Sequence, residues 1–306
     1  MSSIFPDLPE ILVTLDSIDP RIAIVSLNRP PQRNAFTGEM KDSLVEAFGR
    51  LDRDDRVKVV VLKGEENPGR AFCAGADLSK GDFSSKGRYS EDGVPTMARH
   101  RDGGGQTSLA AFKIRKPTIA AINGHAIGIG ITMTLGFDIR LAWEDAKIGF
   151  VFAQRGIVTE AASSFFLPKL IGHSKAMELF MTAKVIPAAS PSLTQLFSSL
   201  HPSPEATVTA ALSMAREIAL NNSSISAALI KALVWRGASS PEGQHLLDSK
   251  AMFVSGNSRD SIEGVKAFRE KRKPSFEATV PRDLPSELWP WWSEVDIVER
   301  SGGSKL

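Results

Sequence analysis

Two stretches decide the fold of this chain: Arg70-Ala-Phe-Cys-Ala-Gly-Ala-Asp-Leu78 and Asn123-Gly-His-Ala-Ile-Gly-Ile-Gly-Ile-Thr132. Each puts glycine beside small residues just after a β-branched run, residues 57–62 for the first and 118–122 for the second. Glycine accepts backbone torsions that other residues avoid, so each turn can point an N–H outward where a strand passes into a helix. Two such amides aimed at one point form an oxyanion hole.

The surrounding pattern supplies the strands and helices those turns need. Residues 11–15 and 22–27 are β-branched runs separated by Asp19-Pro20, the signature of a hairpin. Met40, Leu44, Ala47, Phe48 and Leu51 then recur at the spacing of one helical face. A buried strand over 57–62 follows, and the order repeats through 118–122, a helix starting near Gly130, and a strand over 139–142. Repeated ββα units of this kind predict an α/β core with largely parallel pairing.

Residues 81–105 are rich in glycine, serine and charge, with little periodicity, and read as a mobile loop, open to two readings: a lid over the acyl chain or an insertion with no role. From residue 206 the pattern changes to alanine- and leucine-rich helices over 208–220 and 224–235. The division expected is a core over 1–205, a helical region over 206–275 and a non-helical, Pro/Trp-containing tail over 276–306. Trp289, Trp291 and Trp292 within that tail predict docking on the same or a neighbouring subunit, because three indoles are costly to leave in water.

The 306 residues carry 37 Lys and Arg against 35 Asp and Glu, a formal charge of +2, which excludes a broad nucleic-acid-binding surface. No apolar run reaches the roughly 20 residues of a membrane span, and the N-terminus does not read as a secretion signal. Cys73 is the sole cysteine, so no intrachain disulfide is possible, and it reads as a small buried residue. The five histidines lack metal-ligand spacing, so no metal site is expected. The chain ends in Ser304-Lys305-Leu306, the tripeptide read by the peroxisomal import receptor, and a peroxisomal location is expected.

A thioester carbonyl suits the hole described above, because taking a proton from its α-carbon moves negative charge onto the carbonyl oxygen. Five segments in order, Leu27-Asn-Arg-Pro30 with Arg33-Asn-Ala35, Phe72-Cys-Ala-Gly-Ala-Asp-Leu78, Lys116-Pro-Thr-Ile-Ala-Ala-Ile-Asn-Gly124 and Gly264-Val-Lys-Ala-Phe-Arg-Glu-Lys271, resemble the crotonase superfamily of enoyl-CoA hydratases and isomerases. The resemblance implies a crotonase-like spiral of ββα units with an α-helical C-terminal oligomerisation region. It also implies an acyl-CoA substrate, assembly into a homotrimer or a hexamer, and no cofactor beyond the coenzyme A moiety of the substrate.

Carried over by position, the oxyanion donors are the N–H groups of Ala76 and Ile129, with Ile129 standing where family members usually have glycine. Coenzyme A contacts fall to Arg29, Arg33, Ala74, Asp77 and Lys80, and to Phe268 and Lys271 from the same or an adjacent subunit. The two glutamates typical of the hydratases correspond to Thr132 and Phe152, neither able to transfer a proton at neutral pH. Instead, Gly156-Ile-Val-Thr-Glu-Ala-Ala-Ser-Ser-Phe-Phe-Leu-Pro168 resembles the peroxisomal Δ3,Δ2-enoyl-CoA isomerases, which puts the catalytic carboxyl at Glu160. The competing reading of Glu160 is a first-turn helix residue behind a Thr159 N-cap. Three functions stay open at this point: isomerisation with Glu160 as base, hydration with Glu160 activating water, and thioester binding without turnover. Asp138 reads as a structural hydrogen-bonding residue.

Overall fold

The computed structural model describes residues 3–67, 69–79 and 100–297. The hairpin forms as the turn chemistry requires: β1 (Ile11–Leu15) and β2 (Ile22–Leu27) pair antiparallel, Val13 opposite Val25. Helix α1 (Gly38–Arg53) follows, capped by Thr37, whose side chain accepts the Met40 N–H at 3.0 Å. Its buried face is Met40, Leu44, Ala47, Phe48 and Leu51, all 1% exposed or less. Each large side chain so buried contributes about 1.5–3 kcal/mol.

The chain then winds as a spiral. Strand β3 (Val59–Gly64), two residues later than the 57–62 expected, leads to β4 (Ala71–Cys73) and α2 (Gly103–Lys113). A second turn comprises β5 (Thr118–Ile122), β6 (His125–Ile127) and α3 (Ile129–Thr132). A third comprises β7 (Ile139–Trp143), β8 (Lys147–Gly149), α4 (Ser163–Ile171) and α5 (His173–Thr182). Strands β9 (Val185–Pro187) and β10 (Ser199–His201) complete the sheets.

Each turn gives its first strand to one sheet and its second to the other. The six-stranded sheet runs β1-β2-β3-β5-β7-β10 and the four-stranded sheet β4-β6-β8-β9. Only β1–β2 and β8–β9 are antiparallel among the described pairs. Strands such as β5, buried along their whole length, need apolar residues on both faces, which is why Thr118–Ile122 is a continuous apolar run after Thr118.

Helix α6 (Pro204–Asn221) lies across the division drawn at residue 205. Ala211, Ala215 and Ala219 pack on Ile22, Val59, Val61, Ile119, Ala121 and Leu141, covering the outer face of the six-stranded sheet. Small alanines at i, i+4 and i+8 let this helix lie close to the strands. Helices α7 (Ser224–Trp235), α8 (Pro241–Gly256) and α9 (Arg259–Arg269) follow.

Two expectations are corrected here. Gly103–Gly105, read as the end of a loop, form the first turn of α2, because Asp102 caps it by accepting the Gly105 N–H at 2.5 Å. The tail is not wholly irregular: Val280–Asp283 is a short helix, α10, with Pro281 in its first turn, where proline's missing N–H costs nothing. The tryptophans dock on their own chain. Trp291 Nε1 donates to the Arg236 carbonyl at 2.8 Å, and the Arg236 guanidinium lies 4.7 Å from the centre of the Trp292 ring. The cluster walls a cavity of about 560 Å³ that Phe112, Phe166 and Trp235 also line. The expected lid over 81–105 lies outside the described residues up to 99, as do Lys80, Ser304, Lys305 and Leu306.

Candidate active site

The two glycine turns follow neighbouring strands. β4 and β6 pair in parallel, Ala71 opposite His125, so both chains leave the sheet at the same end. At the first turn Gly75 has φ +106°, a left-handed conformation glycine adopts freely, and a Cβ there would stand 3.2 Å from the Ile127 carbonyl oxygen. The turns therefore touch.

The hydrogen bonding around Ala76 isolates its amide. Ala74 N–H donates to the Arg33 carbonyl, and Asp77 N–H to the Phe36 carbonyl. Ala76 N–H, between them, has no acceptor among the described residues. Ile129 is the first residue of α3, where an N–H has no intrahelical partner, and it too lacks any other acceptor there. The isoleucine in place of glycine leaves the donor intact, and its side chain is turned inward at 5% exposure.

Glu160 closes the site from the third turn of the spiral. It is not in a helix: α4 begins at Ser163 with Ala162 as its N-cap residue, so the first-turn reading behind a Thr159 cap is overturned. The Glu160 carbonyl instead accepts from the Ser163 N–H at 2.9 Å, and Ala161 and Ala162 both adopt left-handed torsions, φ 58° and 53°. Two such non-glycine residues in succession cost about 1–3 kcal/mol each. Strain of that size persists only where surrounding contacts hold it.

The Glu160 carboxyl meets three elements. Thr132, at the end of α3, donates to Glu160 Oε1 at 2.5 Å. Gly104 in α2 lies so close that a Cβ there would stand 1.5 Å from Glu160 Oε2 and 2.7 Å from Ile129 Cδ1. Asp102, which accepts the Ala161 N–H at 3.3 Å, brings its carboxyl to the same place. Burial pushes the Glu160 carboxyl up to about 8, the Asp102 charge adds to that, and the Thr132 hydroxyl opposes it. A carboxyl that titrates near neutrality in an apolar setting is suited to both taking and returning a proton.

The other residues singled out from the sequence are distributed unevenly. Arg29 and Asp77 come together, Nη1 to Oδ2 at 3.0 Å, and Arg29 also pairs with Glu10 at 2.9 Å and donates to the Ala35 carbonyl. Asp77 is held at about 2 by hydrogen bonds from Ser79 and by Arg29. Arg29 is thus fully engaged in fixing the first turn. Ala74 and Arg33 are exposed beside that turn. Phe268 and Lys271 lie elsewhere: α9 packs on α8, with Phe268 85% exposed. Cys73 is buried, and burial pushes its thiol up to about 12, which makes it inert. Phe152 is buried with its ring against Gly128. Asp138 accepts from the Thr118 N–H and hydroxyl, both at 2.8 Å, and pairs with Lys231.

Asp102 and Gly104 went unrecognised in the sequence. Asp102 before three glycines carries the letter of an N-cap, a signal masked by the glycines that follow, which are poor helix formers.

A two-sheet spiral whose two glycine turns follow adjacent parallel strands is the fold of the crotonase superfamily. The family model described as enoyl-CoA hydratase/isomerase matches residues 17–279, and the chain belongs to that family. It is 47% identical over 259 residues, 85% of this chain and 84% of the relative, to Enoyl-CoA hydratase AFT3-1 of Alternaria alternata. It is 30% identical over 263 residues to the 1,2-epoxyphenylacetyl-CoA isomerase of Escherichia coli, covering 86% of this chain and 97% of that one. Among solved structures, a probable enoyl-CoA hydratase/isomerase from Mycobacterium abscessus superposes with TM-score 0.77 at 32% identity, covering 88% of this chain and all of that one.

Proposed function

We propose that this enzyme isomerises a 3-enoyl-CoA thioester to the 2-enoyl form, with Glu160 carrying the proton. One observation supports this above the rest: the carboxyl bonded to α3, the helix that opens with Ile129, is Glu160, while the positions that correspond to the hydratases' glutamates hold Thr132 and Phe152. In its ionised form Glu160 takes a proton from the α-carbon of the thioester. The electron pair passes into a dienolate whose oxygen accepts from the Ala76 and Ile129 amides, and Glu160 returns the proton to the γ-carbon. The double bond moves by one position, and the enzyme ends as it began.

Thr132 suits both protonation states. Its hydroxyl donates to the carboxylate, and when Glu160 holds the proton that hydroxyl can accept it and turn its own hydrogen to the Gly128 carbonyl at 3.2 Å. General-base catalysis of this kind contributes about 10²- to 10⁴-fold, and one oxyanion donor about 10²- to 10³-fold.

A second reading is hydration of a 2-enoyl-CoA with Glu160 activating water, favoured by the name carried by the Alternaria alternata relative. Incubating wild type and Glu160→Gln with trans-3-hexenoyl-CoA and trans-2-hexenoyl-CoA separates the two. Conversion of the 3-enoyl ester at constant mass, lost in the variant, supports isomerisation. Addition of one water to the 2-enoyl ester supports hydration, and binding without turnover in either protein supports a thioester-binding role.

Assembly into a homotrimer or hexamer is part of the same proposal. Met252, Phe253, Ile262, Val265 and Phe268 on α8 and α9 are each at least half exposed, an apolar surface that a neighbouring subunit would cover. Phe268 and Lys271 would then reach the coenzyme A of the same or an adjacent subunit. Light scattering on the purified protein reads the stoichiometry, and a monomer overturns it.

A further inference from the structure

We propose that Asp102 is a positioning residue for Glu160, its carboxylate tying the first turn of α2 to the backbone directly after the acid. This rests on the reading of Glu160 as the proton carrier. Asp102 Oδ1 accepts two backbone amides at once, Gly105 N–H at 2.5 Å within its own helix and Ala161 N–H at 3.3 Å, 59 residues away in sequence. Ala161 is the first of the two left-handed residues after Glu160, so the bond falls where the backbone most needs holding.

The same carboxylate faces the acid. The Asp102 carboxyl stands beside that of Glu160 and its charge disfavours ionisation of the acid. Gly104, two residues on, offers no side chain, so the Glu160 carboxyl fits flush against the helix that Asp102 caps. Among the described residues, the titratable groups that act on Glu160 are Asp102 from α2 and the buried Cys73 thiol from β4, with the Thr132 hydroxyl contributed by α3. Asp102 acts through Glu160 and is given no contact with substrate.

The test uses the full chain and two variants. Asp102→Asn keeps an oxygen that can accept both amides and removes the charge, and Asp102→Ala removes both. The protonated carboxyl of Glu160 is followed by infrared spectroscopy as the C=O band absent from Glu160→Gln, and its titration midpoint is read directly. In Asp102→Asn the midpoint moves to lower pH, because a neighbouring negative charge no longer disfavours ionisation. In Asp102→Ala, kcat also falls by about 10- to 100-fold with KM little changed, the signature of a misplaced group rather than lost binding. Wild-type kcat in a folded Asp102→Ala overturns the proposal, and so does a loss of kcat of about 10- to 100-fold in Asp102→Asn, which keeps both amide bonds. Failure of the underlying reading looks different: Glu160→Gln would keep full turnover, whatever the midpoint does.

Discussion

The Thr132 hydroxyl donates a 2.5 Å hydrogen bond to Glu160 Oε1, joining the end of α3 to a carboxyl 28 residues further along the chain. The donor favours the ionised carboxylate, against the burial that pushes Glu160 up to about 8. Thr132→Val keeps the shape and removes the donor, so the Glu160 carboxyl rises further. The expected outcome is a rate limb moved to higher pH, with activity lost at pH 7 and largely regained near pH 9, as read from kcat/KM profiles.

The pH dependence of the wild type follows from the same group. In the proposed isomerisation Glu160 must be ionised to act, so kcat/KM for the 3-enoyl ester is expected to rise with pH and to be half-maximal at about 8. A rate that falls over this range would require Glu160 to act first as an acid, as in protonation of a 2-enoyl ester.

Stability runs the opposite way. The folded state keeps a proton on Glu160 up to about 8, whereas the unfolded chain releases it near 4.5, so the folded state loses stability as pH rises between those values. Glu160→Gln removes that dependence. Its melting temperature is expected to exceed that of wild type at about pH 8.5 and to differ little near pH 5, in paired thermal melts.

Gly104→Ala separates folding from catalysis. The atoms its Cβ would meet, Glu160 Oε2 and Ile129 Cδ1, are the far ends of flexible side chains. The fold can absorb the methyl by moving them, but the acid then leaves its place. A folded protein with kcat reduced about 10²-fold is expected, checked by circular dichroism beside steady-state kinetics.

Gly75→Ala tests the amide turn. A side chain at φ +106°, 3.2 Å from the Ile127 oxygen, strains the turn and shifts the Ala76 N–H that follows it. Loss of one donor lowers kcat about 10²- to 10³-fold, with the Km for the CoA ester little changed.

Much of the architecture was legible because it is local. The hairpin at Ile11–Leu15 and Ile22–Leu27, the Met40 to Leu51 face of α1 and the strand Thr118–Ile122 all follow from side-chain period and turn residues. Gly103–Gly105 misled because intrinsic propensity argues against a glycine helix, and only the Asp102 cap and the contact with Glu160 outweigh it. The competing reading of Glu160 as a first-turn helix residue fails for a different reason: Thr159 resembles a cap, yet Ala161 and Ala162 turn left-handed before the helix starts.

By itself the sequence determined the succession of most strands and helices and the two glycine turns, because period, capping letters and motif order act over a few residues. The tertiary structure alone decided that Thr132, Gly104 and Asp102 surround Glu160 and that Arg29 is engaged with Glu10 and Asp77. Those contacts join different turns of the spiral, and their distances come from how sheets and helices stack, which no local pattern encodes.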